Sequence, residues 1–130
     1  MPARAQLDAL VHETLARFDK ALQAADFHDF YTYVSQQWKD GERMDGAEAA
    51  GVTERMLQDH FQPFIDKKID LSQVADLPVI YDQPPLINTQ GLLELQGHID
   101  TPQFRVNFHL DYAYELPRWK LFGIDLNLTK

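Results

Sequence analysis

The chain of 130 residues contains no cysteine. This removes a disulfide scaffold, a thiol nucleophile and thiolate metal sites, and leaves the compartment open. Serine is nearly absent as well: Ser35 and Ser72 are the only two, and neither lies in a recognisable nucleophile context. There is no Gly-rich phosphate loop, no Gly-x-Ser-x-Gly elbow and no His-Glu-x-x-His motif. Positive charge is short: 12 Lys and Arg stand against 20 Asp and Glu, for a net charge of −8. Such a chain carries no broad electrostatic footprint for nucleic acid, and Lys67-Lys68 is too small a cluster to supply one. No hydrophobic run approaches the length of a membrane span. The start, Met1-Pro2-Ala3-Arg4-Ala5, has no apolar stretch behind its one charge. A cytoplasmic location is therefore expected, or a periplasmic one if a signal peptide has been removed.

What the chain does have is core material. With 45% hydrophobic and 12% aromatic residues it is globular, and its length suits one domain spanning 1–130. No repeat, low-complexity tract or interdomain linker interrupts it.

The first half reads as helical. Leu7, Leu10, Val11, Leu15, Phe18 and Leu22 recur at helical spacing, which predicts an amphipathic helix over 5–25. Asp26 can cap a second, shorter helix that buries Phe27, Phe30, Tyr31 and Val34, with Trp38 following. The stretch from Lys39 to Gly51 is polar or small and holds three glycines, which predicts a mobile loop. Thr53 caps a third helix with Met56, Leu57, His60, Phe61 and Phe64 on one face, and Pro63 kinks or ends it. Leu77–Tyr81 is a short strand candidate that Pro78 confines to an edge or a strand start, and Pro84-Pro85 keeps the next stretch extended.

From Gly91 to Leu128 three antiparallel strands follow. If Thr101-Pro102 is the first hairpin loop, Ile99 faces Phe104, Gly97 faces Val106, Leu95 faces Phe108 and Leu93 faces Leu110. The other face then pairs His98 with Arg105, Gln96 with Asn107 and Glu94 with His109. One register sorts both strands into an apolar and a polar face, as a half-buried sheet requires.

The last strand leaves two readings open. With Leu116-Pro117 as the second tight turn, Tyr114 faces Trp119 and Tyr112 faces Leu121. Strict alternation beyond that would put Asp125 on the core side and Phe122, Ile124 and Leu126 on the outer face. A bulge near Gly123 would instead return Ile124, Leu126 and Leu128 to the core. The first reading offers a buried carboxylate and an apolar outer patch suited to a second subunit. The second offers neither.

Helices first and a bent, mainly antiparallel sheet closing over them is an α+β arrangement. Between Leu15 and Leu128 the chain resembles the nuclear transport factor 2-like (cystatin-like cone) superfamily, and in particular its small bacterial members of unassigned activity. The residues that carry the resemblance are Ala25-Asp26-Phe27 with Tyr31, Phe61-Gln62-Pro63-Phe64-Ile65 and Gly91-Leu92-Leu93-Glu94-Leu95-Gln96-Gly97. The strongest stretch is Phe108-His109-Leu110-Asp111-Tyr112-Ala113-Tyr114-Glu115 followed by Trp119-Lys120-Leu121-Phe122-Gly123-Ile124. The resemblance implies N-terminal helices packed on a strongly curved sheet, an apolar pocket between them, and frequent dimers. Phe18, Leu22, Tyr31, Trp38, Phe61, Phe64, Leu95, Phe108 and Tyr112 would line that pocket, and Glu94, His98, Arg105, His109, Phe122 and Ile124 would meet a second copy.

The superfamily holds both enzymes and binding modules, so the fold does not choose between them. Isomerase-type members need a tyrosine on the first helix, where this chain has Leu15, Phe18 and Leu22. Epoxide-hydrolase-type members need an Asp-Arg-Asp set inside the pocket, whereas the strand pairing sends Arg105 and Asp111 outward. His98 and His109 share a face with Glu94, but they are diagonal and match no standard metal spacing, so no metal and no cofactor is expected. The leading expectation is a non-enzymatic, homodimeric binding module for a small apolar ligand or a peptide. Two alternatives stand beside it. One is a small-molecule lyase, isomerase or hydrolase using Asp125 with Tyr31 or His60. The other is a structural interaction protein using Phe122, Ile124 and Leu126.

Overall fold

In the computed structural model, which describes residues 2–39 and 51–130, five helices pack against one face of a five-stranded antiparallel sheet that does not close. The loop expected between Lys39 and Gly51 falls almost wholly outside the described residues.

Helix α1 spans Arg4–Ala24 and buries Leu7, Val11, Leu15, Phe18 and Leu22, the stripe that its spacing calls for. It opens with the Gln6 side chain accepting from the Ala3 amide at 3.0 Å. It closes with Ala25 in the left-handed region at φ 53°, whose amide reaches the Leu22 carbonyl at 3.1 Å. Helix α2 (His28–Tyr33) follows, its first amide held by Asp26 Oδ1 at 2.9 Å. The short α3 is Gln36–Lys39. The third predicted helix is two pieces, α4 (Glu54–His60) and α5 (Gln62–Asp66), broken where Pro63 enters. Thr53 caps α4 by accepting from the Met56 amide at 3.1 Å.

The rings of Phe27, Phe30, Phe61 and Phe64 surround Phe18 at centroid distances of 5.8, 5.8, 4.6 and 6.0 Å, all edge-on. This aromatic knot joins α1 to the shorter helices. Asp19, nearly buried, ties α1 to the chain beyond α5 by accepting from the Leu71 amide at 2.8 Å.

Strands β3 (Leu93–Asp100), β4 (Arg105–Glu115) and β5 (Arg118–Thr129) form the long meander. Two short strands, β1 (Ile80–Tyr81) and β2 (Leu86–Ile87), both pair with the outer edge of β3. The apolar side chains of β3 and β4 face the helices as the alternation requires, but the partners differ from the sequence register. Leu95 lies opposite Leu110, Ile99 opposite Val106 and Glu94 opposite Asp111. The turn residues are Pro102 and Gln103, closed by the Thr101 amide on the Phe104 carbonyl at 2.9 Å. Proline suits the first central position of a turn and not the second, so the loop sits one residue later than expected and every partner moves by two. A two-residue shift preserves the faces, because side chains alternate with period two.

The second hairpin keeps Tyr114 opposite Trp119 and Tyr112 opposite Leu121. Its register then slips: Asp111 faces Gly123, Leu110 faces Ile124 and Phe108 faces Leu126, leaving Phe122 as the extra residue. The bulge returns Ile124, Leu126 and Leu128 to the core side. Asp125 is exposed, with its backbone opposite His109.

Candidate functional site

Between helices and sheet, where the resemblance put a pocket, most of the side chains expected to line it are buried. Phe18, Leu22, Phe61, Leu95, Phe108 and Tyr112 are buried members of one continuous core. Phe64 packs against them from the edge. Tyr31 and Trp38 are half-buried. Tyr31 donates to the Val52 carbonyl at 3.3 Å, and Trp38 stacks on Phe122 at 6.3 Å.

The acid–base candidates do not converge. Asp125 points away from the core because of the bulge, so it is no buried acid. His60 lies exposed at the end of α4, edge-on to Phe61 at 4.7 Å. No hydrogen bond among the described residues joins Asp125, His60 and Tyr31.

The surface assigned to a second copy also changes. Phe122 is half-buried and stacks on Trp38, while Ile124 and Leu126 turn to the core side, so the three do not form one apolar patch on the outer face. His98 is buried beneath the β1 edge, with Nδ1 2.9 Å from Asp82 Oδ1, and it faces Asn107 rather than Arg105. Arg105 binds Asp100 at 2.7 Å. Glu94 and His109 stay on the outer face and are diagonal neighbours, with Asp111 between them in the register.

A concave site does exist elsewhere. A groove of about 580 Å³ runs between the flank of α1 and the turn joining β4 to β5. Gln6, Leu10, Glu13 and Arg17 come from α1, Tyr33 from the end of α2, and Tyr114, Arg118, Trp119 and Lys120 from the hairpin. A second groove of about 560 Å³ continues along α1, and the two share Glu13, Arg17 and Thr32.

Local structure explains how each wall is held. The α1 residues lie one step round the helix from its buried stripe, so they border the core without entering it. Tyr33 forms the floor. Its hydroxyl is 2.9 Å from Thr14 Oγ1, which is also 2.6 Å from the Tyr112 hydroxyl. Burial pushes the Tyr33 phenol up to about 12, against an opposing pull from the Thr14 hydrogen bond. It is a neutral floor at any physiological pH. The Arg17 guanidinium covers the Tyr33 ring at 4.7 Å and pairs with Glu13 at 3.2 Å.

The opposite wall is the ring pair Tyr114 and Trp119, 5.2 Å apart and tilted by 58°. Tyr114 is 49% exposed, so much of its apolar area is in water. Arg118 and Lys120 flank the pair. Arg17, Arg118 and Lys120 are thus among the lining residues, with Arg17 paired to Glu13 and Lys120 also acting on Glu115.

The turn itself is fixed to the helices. Glu115, the last residue of β4, accepts from Ser35 Oγ at 2.7 Å and from the Gln36 and Gln37 amides, each at 3.2 Å. It caps α3 from across the fold. Burial raises the Glu115 carboxyl, but the Ser35 hydroxyl, the two amides and Lys120 outweigh it, and it sits below the ordinary glutamate value.

From the sequence, Tyr114 and Trp119 stand only as a cross-strand pair, and nothing there assigns a role to Arg17, Tyr33, Arg118 or Lys120. The available signal was Arg118-Trp119-Lys120 beside Tyr114, an aromatic pair interleaved with cations at a tight turn. No protein-family model, curated protein or solved structure matches the chain. Among the described residues, no helix is long and apolar enough to cross a membrane.

Proposed function

We propose that this protein is a non-enzymatic binding module of the nuclear transport factor 2-like type, and that its ligand is a small molecule with a flat apolar body and an anionic group. Helices on one face of an antiparallel sheet support the fold assignment. The observation that carries the ligand class is the juxtaposition of the exposed Tyr114 ring and the half-buried Trp119 ring with Arg17, Arg118 and Lys120 along one groove. Aromatic walls take apolar area, and a few placed charges set orientation. The ligand is accordingly anionic as well as apolar, which narrows the small apolar ligand expected from the sequence. The acid–base alternative loses its support with Asp125 turned outward, and the structural alternative loses its three-residue patch with Ile124 and Leu126 on the core side.

The test uses tryptophan fluorescence in a Trp38→Phe background, which leaves Trp119 as the one reporter. Titration with 2-naphthoate should give saturable quenching, and neutral 2-naphthamide should bind about tenfold more weakly or worse. Arg118→Glu should weaken naphthoate alone. Equal binding of the two probes, or naphthoate affinity unchanged by Arg118→Glu, would overturn the reading. Homodimerisation is a separate proposal, and native mass spectrometry checks it through subunit number.

A further inference from the structure

On the outer face of the sheet, opposite the core, Glu94, His109 and Asp111 bring one carboxylate oxygen, one imidazole nitrogen and one more carboxylate oxygen to within 4.8 Å of one another. His109 Nε2 lies 3.2 Å from Asp111 Oδ1 and 3.5 Å from Glu94 Oε1. We propose that these three residues form a binding site for a divalent transition metal ion, with Zn²⁺ the best fit.

Spacing is the first argument. Zn²⁺ binds imidazole nitrogen and carboxylate oxygen at about 2.0–2.2 Å, which separates the donors of a tetrahedral ion by about 3.3–3.6 Å. The two distances to His109 Nε2, 3.2 and 3.5 Å, lie close to those edges, and the third edge, between the carboxylate oxygens, is within 4.8 Å. One imidazole with two carboxylates is a donor set that suits such an ion, and three protein ligands leave a fourth position open.

The second argument is the state of the donor atoms. His109 Nε2 and Asp111 Oδ1 are both cut off from solvent, and among the described residues each has the other, at 3.2 Å, as its near polar neighbour besides Glu94. Their 3.2 Å approach is that of an ion pair with poor hydrogen-bond alignment. Buried polar atoms are nearly always satisfied, and an ion held between these two would give each a closer partner than the other now supplies. The backbone has also set two carboxylates, Glu94 and Asp111, directly across from each other. Like charges in that position destabilise a sheet unless a cation joins them.

The surroundings are arranged to hold the ligands. Asn88 Nδ2 donates to Glu94 Oε2 at 3.0 Å, which occupies one carboxylate oxygen and turns the other toward His109. Asn88 is itself fixed, its Oδ1 accepting from the amides of Gln90 and Leu92 at 2.9 and 3.0 Å. Supporting contacts of this kind orient metal ligands. Opposite Asp111 stands Gly123, where a Cβ would come 3.2 Å from Asp111 Oδ2. Glycine there gives the Asp111 carboxylate its room. The three side chains as wholes are 25–41% exposed, with the donor atoms of His109 and Asp111 covered between them.

The test is Zn²⁺ titration of the full-length, tag-free protein after EDTA treatment, followed by calorimetry and by NMR of the imidazole nitrogens. One Zn²⁺ per chain is expected, with His109 Nε2 shifting on saturation and Mg²⁺ and Ca²⁺ failing to compete. Glu94→Gln, His109→Gln and Asp111→Asn should each weaken binding about tenfold or more. His28→Gln, which alters the separate exposed His28–Glu54 pair, should leave it unchanged. Melting curves in EDTA establish that each variant is folded, and the His109 shift in the unaltered protein does not depend on any variant. No binding, or binding that His28→Gln weakens and His109→Gln does not, would overturn the proposal.

Discussion

The hydroxyl of Tyr112 lies 2.6 Å from Thr14 Oγ1, joining the centre of β4 to the buried face of α1. Thr14 is a hub, because it also meets Tyr33, while Tyr112 keeps a second contact to the Leu10 carbonyl at 3.2 Å. Removing one spoke is therefore milder than removing the hub. Tyr112→Phe should cost about 1 kcal/mol, the typical net worth of one hydrogen bond. Thr14→Val is nearly isosteric but strips Tyr33 of its one hydrogen-bond partner among the described residues, and should cost about 2 kcal/mol. Urea denaturation of the two variants checks the order. The same burial gives a spectroscopic signature. Of the five tyrosines, Tyr33 should ionise only near 12, and burial holds Tyr112 well above the ordinary phenol value. Folded-state values raised in this way contribute stability that is complete below about pH 10 and lost as pH rises past it. Absorbance at alkaline pH should show ionisation and unfolding of these two together.

Gly97 is required by the neighbouring strand. A Cβ at that position would run into the Ile80 carbonyl oxygen and press on Tyr81 Cα, and both contacts are backbone. Nothing flexible can give way. Gly97→Ala should detach β1, and with it the Tyr81 hydroxyl from Asp8 and the Tyr81 ring from Arg4. A loss of about 2–3 kcal/mol is expected, with amide exchange at Tyr81 speeding up more than at Leu110. Unchanged protection of Tyr81 would refute the tight approach.

The sequence carries the parts of this fold that depend on period. The stripe of α1 and the two faces of β3 and β4 follow from spacing alone, and they survive even the displaced first turn, because a shift of two keeps parity. Two positions escape this logic. Phe122 reads equally well on either face until the bulge is known, and that single residue decides where Asp125 points. Tyr31 and Tyr33 both fit α2, and tertiary contact with Thr14 selects Tyr33 for burial. The groove was hidden for a different reason. Its walls come from residues near 6–17, from Tyr33 and from 114–120, which only the packing of α1 beside the last hairpin brings together. The Glu94–Asp111 juxtaposition likewise needed the true turn at Pro102-Gln103.

Ala25 ends α1 in the left-handed region, at φ 53° and ψ 37°. An L-residue with a Cβ is strained there by about 1–2 kcal/mol, while glycine is not. Glycine also gains more freedom in the unfolded chain, which offsets part of the benefit. Ala25→Gly should therefore stabilise the protein by about 0.5–1 kcal/mol, a rise of a few degrees in Tm for a chain of this length. A fall in Tm would mean that the helix ends in some other conformation.

Glu115 gives the fold a defined acid sensitivity. Its folded-state value is depressed, so the unfolded chain takes up a proton first as pH falls. Its contribution is thus complete above the ordinary glutamate value of 4.5 and is lost as pH drops through the lower folded value. Glu115→Gln keeps an oxygen to accept from Ser35 but removes the charge that the Gln36 and Gln37 amides meet. At pH 7 the variant should be less stable than the parent. The gap should shrink steadily below pH 4.5 as the parent carboxyl protonates. The hairpin that Glu115 anchors also carries Trp119, so the fluorescence of Trp119 in the Trp38→Phe background should shift over the same acid window in the parent and not in the variant. Coincident acid profiles for the two proteins would show that Glu115 does not hold α3 to the turn.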